Sequence, residues 1–289
     1  MRVLVTGLQS QLARSLQEKA LVHPDIQLEL AGRPQLELSE PGRAAAIIAE
    51  RRPDVVINAA AYTMVDQAES EPELAFRING DAAGEVAAAA REVGAKVIQI
   101  STDYVFDGNA AAPYTEDAPT APLGVYGRSK LAGEEQVRAG NPDHLIVRTS
   151  WVYSPFGHNF VKTMLRLAAD RNELRIVSDQ KGCPTSALDL ADALLATLSR
   201  VRDWGATYHL AAPEPCSWAD LASAVFEASR TAGGPSADVI PIPTAEYPTP
   251  ARRPMYSVLD SGRFARDFGI RLPRWENSVA DVVERLVAG

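Results

Sequence analysis

Short β-branched runs alternate with helical stretches along this chain, and no other feature constrains its fold as strongly. Arg2-Val-Leu-Val-Thr6, Pro53-Asp-Val-Val-Ile-Asn58, Ala95-Lys-Val-Ile-Gln-Ile-Ser101 and His144-Leu-Ile-Val-Arg-Thr149 are too short for helices and apolar enough for buried strands. A further strand is expected near Ile26 to Ala31. Helical patterns separate them: one from near Gln11, an Ala-rich one from Arg43 to Arg52, one from Asn79 to Val93, and one from Gly127 to Ala139. This alternation predicts an α/β fold with a doubly wound parallel sheet. Leu188 to Arg200 reads as an amphipathic helix, and Thr207 to Ala211 as a strand returning to the same sheet. Pro213 and Pro215 mark a boundary. Beyond it we expect a helix from Trp218 to Thr231, a strand from Asp238 to Ile242 and a last helix from Ser278 to Val287. Residues 1–150 with about 188–212 should therefore form one domain. Residues of about 151–187 and 213–289 should form a smaller α/β substrate-binding domain, which includes a helix from Val161 to Arg171.

Gly7 turns the first strand into the first helix, the arrangement that places a dinucleotide pyrophosphate over a helix N-terminus. The loop reads Gly7-Leu-Gln-Ser10-Gln-Leu-Ala13. Ala13 is tolerated at the third glycine position of the fingerprint. Ser10 is a departure, because a side chain stands where backbone should approach phosphate. Gln9, Ser10, Gln11 and Leu12 are the cofactor candidates here. At the end of the second strand, Arg33 suits a 2′-phosphate and so NADPH, with NADH as the alternative; a solvated surface arginine is the other reading. Small residues at Ala59, Ala60 and Ala61, followed by Tyr62 and Thr63, let a cofactor pass close to the backbone. Asn79 either braces the active-site strand or, as expected for an asparagine at a helix start, caps the helix.

The stretch Ser101 to Lys130 carries the chemistry. Thr102 falls where a buried strand ends, on the ligand side of an open parallel sheet. Tyr126 and Lys130 are four residues apart and share a helix face. An ammonium beside a phenol should pull the phenol pKa down toward neutrality and make it a proton donor. Tyr-x-x-x-Lys alone arises by chance in many helices; its place after a glycine turn, Asn58-Ala-Ala-Ala61 and Ser101-Thr-Asp-Tyr104 gives it weight.

With these motifs in chain order, the sequence resembles the extended short-chain dehydrogenase/reductase family, and within it the dTDP-4-dehydrorhamnose reductase branch. The resemblance covers nearly the whole chain. It rests most on Arg52-Pro-Asp-Val-Val-Ile-Asn-Ala-Ala-Ala61, Ser101-Thr-Asp-Tyr-Val-Phe106, Arg148-Thr-Ser-Trp-Val-Tyr153 and Tyr247-Pro-Thr-Pro-Ala-Arg-Arg-Pro254. It implies a Rossmann domain binding NADPH and a nucleotide-sugar substrate. The reaction implied is reduction of the 4-keto group of dTDP-4-dehydro-L-rhamnose to dTDP-L-rhamnose, for cell-surface polysaccharide. Tyr126 would donate the proton, Lys130 would hold the nicotinamide ribose, and Thr102 would orient the carbonyl. Asp103 and Trp151 would frame the sugar, although a bare tryptophan is more often core packing. The segment Pro34 to Ser39, with Glu37 and Leu38, would lie along the adenine. The loop Asp179 to Thr185 would lie near the nucleotide sugar. Arg252 and Arg253 would meet the substrate diphosphate. Two alternatives stay open: a reductase making the talose epimer, and a non-catalytic subunit like the regulatory partners of methionine adenosyltransferase. Relatives can hold magnesium between subunits through glutamates. Arg14-Ser15 stands where the early glutamate is expected, so no metal is predicted. A homodimer is compatible with the resemblance.

Bulk properties exclude other classes. A net charge of -8 and a pI near 5.1 argue against nucleic-acid or membrane-surface binding. An anionic substrate must then meet a local cation. Cys183 and Cys216 are the only cysteines, which suits a reducing compartment. His23, His144, His158 and His209 have no metal-ligand spacing. The glycine turn directly after the first strand is unlike a signal peptide, and no apolar run spans a bilayer. We expect a soluble cytoplasmic protein with no membrane or nucleic-acid partner.

Overall fold

A computed structural model describes all 289 residues. β1 (Arg2–Thr6) leads into α1 (Gln11–Lys19), then β2 (Gln27–Ala31), α2 (Arg43–Arg51) and β3 (Val55–Asn58). Two short helices, α3 (Val65–Ala68) and α4 (Pro72–Phe76), run through a π-helical stretch, Arg77–Asp81, into α5 (Ala82–Glu92). β4 (Lys96–Thr102), α6 (Val125–Gly140) and β5 (His144–Thr149) follow. The chain then leaves the sheet as β6 (Val152–Tyr153), α7 (Phe160–Ala168), β7 (Glu173–Val177), β8 (Lys181–Gly182) and β9 (Thr185–Ser186). It returns as α8 (Ala187–Leu198) and β10 (Ala206–His209). The remainder is β11 (Cys216–Ser217), α9 (Trp218–Thr231), β12 (Asp238–Ile242), α10 (Gly262–Phe268) and α11 (Trp275–Ala288).

The main sheet has six parallel strands in the order β10-β5-β4-β3-β1-β2. Strand order reverses between β1 and β3, and such a switch point opens a crevice at the carboxyl ends of the strands. Alternate side chains serve opposite faces, as the two-residue period requires. Val3 and Val5 join the layer of α1 and α8, with Leu12, Leu16, Leu190 and Leu194. Leu4 and Val56 join the layer of α2, α5 and α6, with Ile48, Val86 and Val137. Leu4, Leu16 and Ile48 are fully buried, and each contributes about 1.5–3 kcal/mol.

A second core lies outside the sheet. There β7 pairs in parallel with β12, and α7, α9 and α11 pack through Val161, Met164, Leu221, Phe226, Val279 and Val283. α9 starts at Trp218 because Ser217 caps it. The Ser217 hydroxyl accepts the Asp220 N–H at 3.1 Å while the Asp220 carboxylate accepts the Ser217 N–H at 2.8 Å.

α10 departs from the expected division. Phe264, Phe268 and Leu272 bury themselves against Tyr208 and Leu198 in the core of the main sheet. That part of 213–289 therefore covers the sheet rather than the smaller unit. No helix is long and apolar enough to cross a membrane.

Candidate active site

Two cavities meet at the switch point. The first, of about 610 Å³, lies beyond β1, β2 and β3 and is walled by Gly7, Arg33, Leu38, Ala60 and Tyr62. The second, of about 420 Å³, lies beyond β4 and β5, between Thr102, Tyr126, Lys130 and Trp151. Gln9, Ser10, Ala61 and Thr63 line both. A long, two-ended ligand can therefore cross from one to the other over the start of α1.

The crossing is built for an anion. The first-turn N–H groups of α1, at Gln11 and Leu12, precede the first intrahelical bond. Gly7 adopts φ 99°, and a Cβ there would stand 3.3 Å from Ala60. The residues present thus fit a dinucleotide. Ser10 has ordinary torsions (φ -70°, ψ 154°) and caps α1, its hydroxyl accepting the Ala13 N–H at 3.2 Å. That hydroxyl takes up one of the N–H groups a phosphate would use. Arg33 is exposed on the cavity rim, with a loose 3.7 Å ion pair to Glu37. Glu37 also accepts the Ser39 N–H, and Leu38 is buried in the wall.

Gln11 lies on the second cavity, but its side chain is spent elsewhere. Its Oε1 accepts from Ser154 and Asn159, each at 2.9 Å, and its Nε2 reaches the Val152 carbonyl at 3.3 Å. It straps α1 to the segment that leaves the sheet. Only its backbone remains for a cofactor. Leu12 belongs to the hydrophobic core as well as to the cavity wall.

α6 carries Tyr126 and Lys130 on one face. Gly127 lets this helix press on the Tyr104 carbonyl, where any Cβ would overlap it. The expected partnership of phenol and ammonium does not form. Lys130 Nζ instead donates to the Ile100 carbonyl at 2.6 Å. β3 ends opposite Gln99, so Ile100 runs past its neighbour and offers its oxygen. Burial pushes the Lys130 ammonium down to about 8, with Glu134 opposing the fall. Burial pushes Tyr126 up to about 12, against a hydrogen bond from Thr102 and with the help of the Asp103 charge. The phenol is thus raised, not lowered. Desolvation outweighs an ammonium that is turned to a carbonyl.

Thr102 ends β4 beside the phenol and accepts the Tyr104 N–H at 3.2 Å. Asp103 borders the same cavity, but the residue is only 2% exposed and its carboxylate does not stand free for a sugar. It accepts from Thr102 at 3.1 Å and Ser150 at 3.0 Å, and it also meets Ser257. Burial pushes it up to about 6, and those three hydroxyls limit the rise.

Trp151 adopts φ 46° and stacks on Trp218, with ring centres 3.5 Å apart and planes 7° apart. Trp151 faces the second cavity and Trp218 a third, of about 750 Å³, so the stacked pair stands between them. Arg253 and Gln180 line the third cavity, the latter from the loop Asp179 to Thr185. Arg253 bonds the Asp66 carboxylate through both terminal nitrogens, at 2.7 and 3.1 Å. Arg252 is exposed and outside this cavity. Of the two arginines, Arg253 alone lines this cavity.

Asn79 lies inside the π-helical stretch and is no helix cap. Its Oδ1 accepts the Tyr62 N–H at 2.8 Å, while its Nδ2 donates to the Tyr62 carbonyl and to Ser129, each at 3.0 Å. It clasps the cofactor-side loop to α6. Tyr62 in turn donates its hydroxyl to Glu71 at 2.7 Å. Met64, Gln67, Glu71 and Leu74 complete the first cavity. Their sequence reads as an ordinary connection and carries no signal of this role.

The chain matches the RmlD substrate binding domain family over residues 1–288. It is 46% identical to a dTDP-4-dehydrorhamnose reductase of Sinorhizobium fredii, with 99% of this chain and 98% of that protein covered. It is 47% identical to the enzyme of that name from Escherichia coli K12, over 86% of this chain and 85% of that protein. A solved dTDP-4-dehydrorhamnose reductase from Bacillus anthracis, in complex with NADP, is similar at a TM-score of 0.91 and 37% identity, over 97% and 98% of the two chains. On matches of this strength along nearly the whole length, the chain belongs to the dTDP-4-dehydrorhamnose reductase family, within the extended short-chain dehydrogenase/reductases.

Proposed function

We propose that this protein reduces the 4-keto group of dTDP-4-dehydro-L-rhamnose to dTDP-L-rhamnose, using NADPH. The observation that carries the reading is the cluster of Thr102, Tyr126 and Lys130 at the end of β4, in a cavity continuous with the start of α1. When bound, NADPH supplies a hydride to the carbonyl carbon. Lys130 holds the nicotinamide ribose from its seat on the Ile100 carbonyl. Thr102 turns its single hydroxyl hydrogen from Asp103 to the keto oxygen and so orients it. A phenol pushed up to about 12 keeps its proton through the neutral range, and Tyr126 gives that proton to the oxygen as negative charge develops there. The third cavity takes the nucleotide, with Arg253 on the diphosphate and the Trp151–Trp218 pair between sugar and nucleotide. We assign the parallel sheet with its covering helices to the cofactor, and the unit around α7, α9 and α11 to the nucleotide sugar.

The test is consumption of NADPH with dTDP-4-dehydro-L-rhamnose generated in situ from its precursor, followed by identification of the sugar. dTDP-L-rhamnose is the expected product. The talose epimer, or no consumption of NADPH, would overturn the assignment.

A further inference from the structure

α6 carries the proton donor in its first turn, yet it begins without a cap of its own. Its N-cap residue is Gly124, which has no side chain to accept an N–H. The Val125 N–H instead donates to Oε1 of Glu69 at 2.7 Å, across 56 residues of chain. Glu69 closes α3, a helix of four residues that is too short to stand unaided. Its neighbours hold it. Ala68 is fully buried, and Asp66 accepts from Arg253 and from the Ala251 N–H. The Glu69 carboxylate is therefore presented to α6 from a braced support. Tyr126 is the next residue after the N–H that it binds. Deeper along the helix, Asn79 holds Ser129, and Glu134 is locked to Ser101 and Arg148. The first turn is the part of α6 that depends on Glu69.

We propose that Glu69 is a positioning residue for the proton donor: its carboxylate supplies the missing cap of α6 and fixes the turn that presents Tyr126. The inference rests on the reading of Tyr126 as the donor. Without the cap, the first turn frays and the phenol leaves its place beside Thr102. A side chain misplaced by about 1 Å can cost on the order of 100-fold in rate. Glu69 lines neither the cofactor cavity nor the two others described above, so binding should be spared.

Glu69→Ala is expected to lower kcat by about tenfold or more, with KM for the nucleotide sugar and Kd for NADPH within about twofold of wild type. Glu69→Gln keeps an oxygen acceptor and should stay within about threefold of wild-type kcat. A second rescue uses the helix itself. Gly124 has cap-compatible torsions (φ -117°, ψ 174°), and a Cβ there would lie 2.7 Å from Glu69 Oε1, the space that Glu69→Ala vacates. The double variant Glu69→Ala/Gly124→Ser should regain about threefold or more of the lost kcat by local capping. A kcat for Glu69→Ala within about twofold of wild type overturns the proposal. So does a parallel loss of NADPH affinity, or failure of both rescues. Tyr126→Phe is measured alongside. Turnover in that variant overturns the donor itself, whereas an inactive Tyr126→Phe with an unimpaired Glu69→Ala overturns only the role of Glu69.

Discussion

Lys130 donates its ammonium to the backbone carbonyl of Ile100 at 2.6 Å, and not to the phenol of Tyr126 one turn earlier. The bond ties the catalytic helix to the strand that ends in Thr102. It also gives the buried ammonium a fixed direction, at the expense of solvation. Burial leaves its pKa lowered to about 8. The charged form, which can donate to a ribose hydroxyl, thus prevails below that pH and is lost above it. NADPH binding is expected to be steady around neutrality and to weaken as pH rises through about 8. In Lys130→Met the affinity should be lower and this basic limb should disappear. Titration of NADPH across that range checks both. An affinity that is level well above pH 8, with Lys130 intact, would show that the charged ammonium is not needed.

Arg253 and Arg252 should separate cleanly. Arg253 lines the third cavity and is held by Asp66, while Arg252 is exposed and outside that cavity. Losing a charge-assisted hydrogen bond costs about 1.5–3 kcal/mol. Arg253→Ala should therefore raise the KM for the nucleotide sugar by about tenfold or more, with Kd for NADPH unchanged. Arg252→Ala should leave both near wild type. Equal effects of the two substitutions on KM would place the diphosphate elsewhere.

Ser10 occupies the anion site in two ways. Its Cβ stands at the crossing between the cavities, and its hydroxyl takes the Ala13 N–H. Replacing a serine cap by glycine costs only a few tenths of a kcal/mol. Ser10→Gly should accordingly tighten NADPH several-fold, on the order of 1 kcal/mol, with kcat much less affected. Tryptophan fluorescence titration of the two proteins decides. Weaker binding in Ser10→Gly would mean that the hydroxyl serves the phosphate directly.

What could be read in the sequence was local. β1, β3, β4 and β5 are covered on both faces, so their residues form near-continuous apolar runs that stand out from the helices. Thr102, Tyr126 and Lys130 follow from strand end and helix period, and the structure brings all three to one cavity. The partners of these residues could not be read. Lys130 meets a backbone carbonyl, which has no residue type. Asp66 and Arg253 are 187 residues apart, and Asn79 meets Tyr62 through its backbone. The expected lowering of the Tyr126 pKa failed for a related reason: helix spacing gives the shared face of Tyr126 and Lys130, but neither the acceptor nor the depth of burial. α10 was missed because its phenylalanines complete a core that distant strands create.

In the proposed reaction Tyr126 protonates the oxygen of a keto sugar reduced by NADPH. The most direct measurement compares wild type and Tyr126→Phe for NADPH consumption with dTDP-4-dehydro-L-rhamnose, together with NADPH binding by titration. Removing only the hydroxyl should lower kcat by about 100-fold or more, while Kd for NADPH stays within about threefold. Turnover by Tyr126→Phe within a few-fold of wild type would contradict the assignment of the proton donor.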